Sequence, residues 1–200
     1  AYAAFMAALA AFNAGLARLS GVSIPWRAIG LLFAAALLLR LGIDGMDRAS
    51  FARMMLYQTP YAAMQALGGW LVWRSRDRRP LNVLLLATLA LTSLHYLSKP
   101  FVSLAAGGTG DGPEAYLQTS YAMYSQASGT VLAFAVALLL LVILVRNVLS
   151  DITERSATDA LSGLYNRRGF EEKRQHALER KALNGLPVSL IACDLDRFKC

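Results

Sequence analysis

The sequence predicts a mainly α-helical chain: about five membrane-spanning helices, a connector helix, and then the first helix and strand of an α/β domain. Three observations carry this expectation. Hydrophobic residues make up 56% of the chain and charged residues 16%, against about a quarter charged in ordinary soluble domains. The apolar excess falls in long stretches before residue 146, so it describes a polytopic membrane segment and not one large soluble core. Beyond that point the chain turns polar, then closes on a short apolar run ending in acidic and basic residues.

A spanning helix needs roughly 20 mostly apolar residues. Five stretches qualify: residues 1–19, rich in alanine, then 24–43, 51–73, 81–98 and 121–145. Arg18 and Arg27 lie between the first two, Arg74, Arg76, Arg78 and Arg79 between the third and fourth, and Arg146 follows the fifth. Alternation puts these sites on one side, which by the positive-inside rule is cytoplasmic. Trp26, Trp70 and Trp73 fall at the same boundary, where interfacial tryptophans collect. The net charge of +7 is therefore topological, and nucleic-acid binding is not expected. Cys193 and Cys200 are the only cysteines and lack metal-ligand spacing.

Within the spans, polar residues have two readings each. Arg40 is either a ligand contact or a side chain reaching Asp44 one turn on, and the second is simpler. His95 is either a metal or proton site or an interfacial residue, and again the second is simpler. Pro60 is expected to kink its helix. Gln58, Gln65 and Gln126 are candidates for hydrogen bonds between helices. The glycine-rich stretch 105–113 reads as a flexible outer loop.

The fifth span continues without glycine or proline into a connector, with Leu141, Val145, Val148 and Ile152 at a/d spacing. This stripe predicts pairing with a second copy. The helix should break around Asp159. Asn166 is a good N-cap for a helix starting near Arg167, whose apolar face holds Phe170, Ala177, Leu178 and Ala182. Asn184-Gly185 should end it, and residues 188–193 should form a buried strand. The organisation expected is a membrane domain over 1–146, a signalling helix over 147–158, and a third domain from 159 to 200.

That third part carries two motifs. The first is Thr158-Asp159-Ala160-Leu161-Ser162-Gly163-Leu164-Tyr165-Asn166-Arg167-Arg168. The second is Asp194-Leu195-Asp196-Arg197-Phe198-Lys199. Together, and in this order behind membrane spans, they resemble the opening of a GGDEF domain, the catalytic module of diguanylate cyclases. The first departs from the family pattern only in having Ser162 for threonine, which keeps the hydroxyl. The resemblance implies a palm-like α/β fold that binds GTP. It also implies two domains meeting face to face to make cyclic di-GMP and pyrophosphate.

Carried over by position, Asp194 and the Leu195 carbonyl would ligate Mg²⁺ or Mn²⁺. Backbone amides at Arg197 and Phe198, with the Lys199 ammonium, would hold the phosphates, so Asp194 and Lys199 are the catalytic candidates. Asp196 would support the site, while Asp159 and Asn166 would be structural. The resemblance further implies a homodimer, joined through the signalling helix and the GGDEF domains, in a bacterial cytoplasmic membrane with the C-terminal domain inside. The Gly-Gly-Asp/Glu-Glu-Phe signature itself does not occur in these residues. The chain is thus expected to be an inactive piece of a longer protein. A non-catalytic receptor for GTP or cyclic di-GMP is the alternative, and a transporter or scaffold the third reading.

Overall fold

A computed structural model describes residues 2–75, 77–110, 112–155, 157–159, 161–185, 187 and 189–191. They form α1 (Tyr2–Leu19), α2 (Trp26–Gly42), α3 (Phe51–Arg74), α4 (Pro80–Ala105), α5 (Pro113–Leu117), α6 (Ser120–Arg155) and α7 (Arg167–Asn184). The chain divides into two units, Ala1–Leu144 and Val145–Cys200, with the boundary inside α6.

Helices stand where each of the five apolar stretches predicts one. Three are long and apolar enough to cross a membrane: Tyr2–Leu19, Pro80–Ala105 and the Ser120–Ile152 part of α6. The other two differ for physical reasons. With 17 residues, α2 is about 26 Å long at 1.5 Å per residue, at the lower limit of about 17 residues for a span. In α3, 24 residues provide the length, but Arg53, Gln58, Thr59 and Gln65 dilute its apolar character. In the other direction α4 outruns its expected end at Ser98, continuing through Pro100 to Ala105. A proline there withholds one amide from the preceding turn, yet helices packed among others tolerate such gaps, and Pro100 is fully buried.

In the first unit α3 is the hub, packing on α1, α2 and α4. One apolar cluster joins Leu16, Val72, Leu85, Leu89, Val136 and Ile143. Another joins Met6, Leu9, Ala36, Tyr61 and Met64, under an aromatic layer that includes Tyr2, Tyr57 and Tyr96. In lipid such contacts gain little from the hydrophobic effect, because acyl chains are as apolar as leucine. Close packing and hydrogen bonds between helices must then do more.

Among the described residues, two side-chain donors reach backbone carbonyls of α3 in this way. The fully buried Asn13 of α1 donates from Nδ2 to the Met64 carbonyl of α3 at 3.1 Å, as well as to Leu9 in its own helix. Ser93 of α4 donates from Oγ to the Ala62 carbonyl at 2.9 Å. The glutamines expected in this role do not fill it through their oxygens: Oε1 of Gln58 and of Gln65 is buried without a partner. Adjacent glycines make the close approach possible. A Cβ on Gly68 would lie 3.2 Å from Asn13 Oδ1 and 3.4 Å from Leu16, and one on Gly69 would lie 3.5 Å from Leu86.

Gly68→Leu should accordingly force α1 off α3 and break the Asn13 tie. Over-packing costs about 1–3 kcal/mol. A lower unfolding midpoint in detergent checks this; an unchanged midpoint would mean that α1 is not seated there.

Arg40 resolves as its simpler reading, donating to Asp44 at 2.7 Å. Trp26, Trp70 and Trp73 are exposed at helix ends, and Arg74 lies over the Trp70 ring at 5.1 Å.

The second unit holds the end of α6 and all of α7. The expected strand at 188–193 is not formed over Ser189, Leu190 and Ile191, which are irregular. Leu190 and Ile191 are 72% and 84% exposed. A buried strand needs neighbouring strands to take its amides and carbonyls. Among the described residues there are none, only an isolated antiparallel bridge between Thr158 and Tyr165.

Candidate nucleotide-domain opening

Among the described residues, Asp159 makes the most hydrogen bonds in the turn between α6 and α7. Its Oδ1 accepts from the Leu161 amide at 3.1 Å, the Ser162 amide at 2.8 Å and the Ser162 hydroxyl at 3.0 Å. Its backbone works too: the Asp159 amide donates to Leu164 O at 2.7 Å, and its carbonyl accepts from Gly163 at 2.9 Å. Gly163 takes a positive φ of 69°, which glycine adopts without steric cost.

A short polar side chain at the head of a turn, bonding amides two and three residues on, is an Asx-type turn. Ser162 adds a further link, its Oγ accepting from the Leu164 amide at 3.4 Å. A hydroxyl at this position is what the turn needs, and serine supplies it as well as threonine would.

Asn166 then starts α7. Its Oδ1 accepts from the Gly169 amide at 2.9 Å, capping one of the helix's orphan donors. Its own amide donates to the Ala157 carbonyl at 2.9 Å, drawing the incoming chain across the first turn of α7. Gly169 sits at this crossing, where any Cβ would collide with the Ala157 carbonyl oxygen. Sequence reasoning passed over Gly169; its signal is a glycine three residues after an N-cap, where helix propensity alone would disfavour it. Lys173 lies over the Tyr165 ring at 5.8 Å, and Gly185 closes α7 in the left-handed region at φ 67°.

The electrostatics follow from the hydrogen bonds. The amide and then the hydroxyl of Ser162, with the Leu161 amide, hold the Asp159 carboxyl below its usual range. A carboxylate depressed on folding contributes stability that is complete above the unfolded pKa of about 3.9 and is lost as pH falls through the lower folded value. The turn should therefore persist at pH 5 and loosen only in strong acid.

Replacing Asn166 by alanine removes the cap at a typical cost of about 1 kcal/mol. Hydrogen exchange at the Gly169 amide should then quicken about fivefold. An unchanged rate would remove Asn166 from the role of cap.

Asp194, Leu195, Asp196, Arg197, Phe198 and Lys199 lie outside the described residues, as does Cys193. Among the described residues no group of three His, Cys, Asp or Glu side chains is arranged to hold a metal ion. The two motifs are thus represented here by the first alone.

Residues 156–200 match the family model for the GGDEF domain of diguanylate cyclases. This part of the chain belongs to the GGDEF family. No curated protein and no solved structure matches the chain. The GGDEF segment begins at the turn just described, and the structure gives its opening motif a physical meaning. Asp159, Ser162, Gly163, Asn166 and Gly169 are there to reverse the chain and launch α7, which is the structural role expected of Asp159 and Asn166.

Proposed function

We propose that this chain is the membrane and opening catalytic part of a diguanylate cyclase, condensing two GTP into cyclic di-GMP and pyrophosphate. The observation that carries the reading is the family match over 156–200, within which Asp194-Leu195-Asp196-Arg197-Phe198-Lys199 is intact. A protein that only bound nucleotide would have less use for the metal-binding aspartate.

In this reading Asp194 and the Leu195 carbonyl would hold the divalent ion. A carboxylate and a backbone carbonyl are hard oxygen donors, of the class that Mg²⁺ and Mn²⁺ take. When bound, such an ion neutralises triphosphate charge and polarises phosphorus. The chain's own contribution is positional. Lys199 and the amides around Arg197 and Phe198 hold the phosphates, and Asp196 steadies the loop through hydrogen bonds.

The membrane domain over 1–146 would comprise five spans, α1 to α4 and α6, with Arg18, Arg27, Arg74, Arg76, Arg78, Arg79 and Arg146 on the cytoplasmic side. Lipid is then its first partner. A signalling helix over 147–158 would lead to the GGDEF domain from 159 onward.

Pairing of two chains is supported by α6. Val131, Phe134, Leu138, Leu141, Val145, Val148 and Ile152 alternate three- and four-residue steps and are all exposed. Val136 and Ile143 face the other way, buried in the bundle. Other apolar residues of α6, among them Val142, Leu144 and Leu149, are exposed too; what sets these seven apart is their strict seven-residue repeat, which fits a left-handed pair of helices and which lipid contact does not need. Joined along this stripe, two chains would bring two GTP sites together, and a shift in the membrane part would reach them along the helix.

Measuring GTP binding and turnover side by side on the full-length protein with Mg²⁺ tests the reading. Binding with turnover supports the cyclase, and tight binding without any turnover favours a nucleotide receptor. Residues 1–200 alone are expected to give no product, since the Gly-Gly-Asp/Glu-Glu-Phe signature is not among them.

A further inference from the structure

His95, Lys99 and Ser103 recur every fourth residue along α4 and so share one face of it. Each bears a polar group that its surroundings leave unserved. Nε2 of His95 is buried and makes no hydrogen bond, and Oγ of the fully buried Ser103 makes none either. The Lys99 ammonium stands 4.9 Å from the centre of the Tyr96 ring. Among the described residues no carboxylate lies within ion-pair distance of it.

The other serine and threonine hydroxyls of α4 all have acceptors: Thr88 bonds back to Leu84, Thr92 to Thr88 and Ser98 to His95, each at 2.8 Å, and Ser93 bonds across to Ala62. Ser103 has none. In a membrane protein, an unpaired ammonium beside two idle polar groups is costly. An acceptor-rich partner at the ammonium relieves it together with an idle donor one turn away, His95 and Ser103 themselves standing two turns, about 12 Å, apart. Lysine only donates, serine donates through its hydroxyl, and histidine donates from Nε2 in the tautomer that carries the proton there.

We propose that this face of α4 is a binding site for an anion with at least two acceptor oxygens, a carboxylate or a phosphate group. Lys99 supplies the charge, held in place by the Tyr96 ring. His95 or Ser103, each a turn away from Lys99, supplies the directional hydrogen bond. The site also touches α6, because a Cβ on Gly129 would lie 3.7 Å from His95 Nε2. Occupancy therefore bears on the helix that runs from this contact to Arg155. The inference stands independently of the cyclase reading.

The anion comes either from solution or from a lipid headgroup, and one experiment separates the two. The full-length protein is placed in phosphatidylcholine nanodiscs and titrated with sodium acetate or inorganic phosphate at constant ionic strength, with thermal unfolding as the readout. A saturable rise in Tm, weakened about tenfold in affinity by Lys99→Met and retained by Lys99→Arg, identifies a dissolved anion. No response to either salt, but stabilisation by added phosphatidylglycerol that Lys99→Met loses, identifies a headgroup. If Lys99→Met does not insert, Ser103→Ala serves in its place with a smaller loss. Identical responses of wild type and these variants to every probe would overturn the proposal.

Discussion

Placing aspartate at both Val148 and Ile152 in the full-length protein should convert it from dimer to monomer and remove most of its cyclic di-GMP synthesis, while membrane insertion stays intact. Both residues are exposed on α6 and fall on the seven-residue stripe that begins at Val131. They lie beyond the boundary of the first unit at Leu144, so neither touches the clusters that hold the membrane helices together. An unpaired charge pressed into a packed seam costs several kcal/mol. Even about 3 kcal/mol weakens a dimer by more than a hundredfold. Sedimentation in detergent reads the association and product formation reads the activity. A dimeric, fully active variant would show that the stripe faces lipid and solvent, and that pairing, if needed, is achieved elsewhere.

Asp194→Ala should have the second large effect, on chemistry rather than assembly. Loss of a group that merely orients a metal ligand already costs about 10–100-fold. Loss of a ligand itself should exceed that, so turnover is expected to fall by more than about a hundredfold. The turn at Asp159 to Asn166 uses no part of Asp194, so the variant should fold. Hydrogen exchange at Gly169 gives the control: protection kept and turnover lost places Asp194 in the site, whereas turnover kept removes it.

What the sequence made legible follows the strength of each physical signal. Long apolar runs marked five of the helices, because hydropathy over some twenty residues is hard to mistake. Local chemistry was as clear: Asn166 and Gly185 begin and end α7 where side-chain capping and a left-handed glycine predict. Interior positions were harder to read. The fourth apolar stretch was expected to end at Ser98, but α4 runs on through the buried Pro100 to Ala105. The short α5 follows the glycine-rich stretch, and its five residues are too few to give a periodic signal.

Polar contacts between helices depend on rotation and depth, which hydropathy does not report. Asn13 and Ser93, not the more obvious glutamines, tie α3 to its neighbours. The seven-residue stripe was visible only over its last four members, since its upper part looks like any apolar span until the exposed face is known. The strand after α7 is a collective object that exists only with paired neighbours, so its local pattern was insufficient.

The central claim is that this chain belongs to an enzyme joining two GTP molecules. Its most direct test is product analysis by mass spectrometry and pyrophosphate release on the full-length protein in nanodiscs with Mg²⁺. One cyclic di-GMP and two pyrophosphates are expected for every two GTP consumed. GTP bound by a folded dimer but recovered unchanged would contradict the claim.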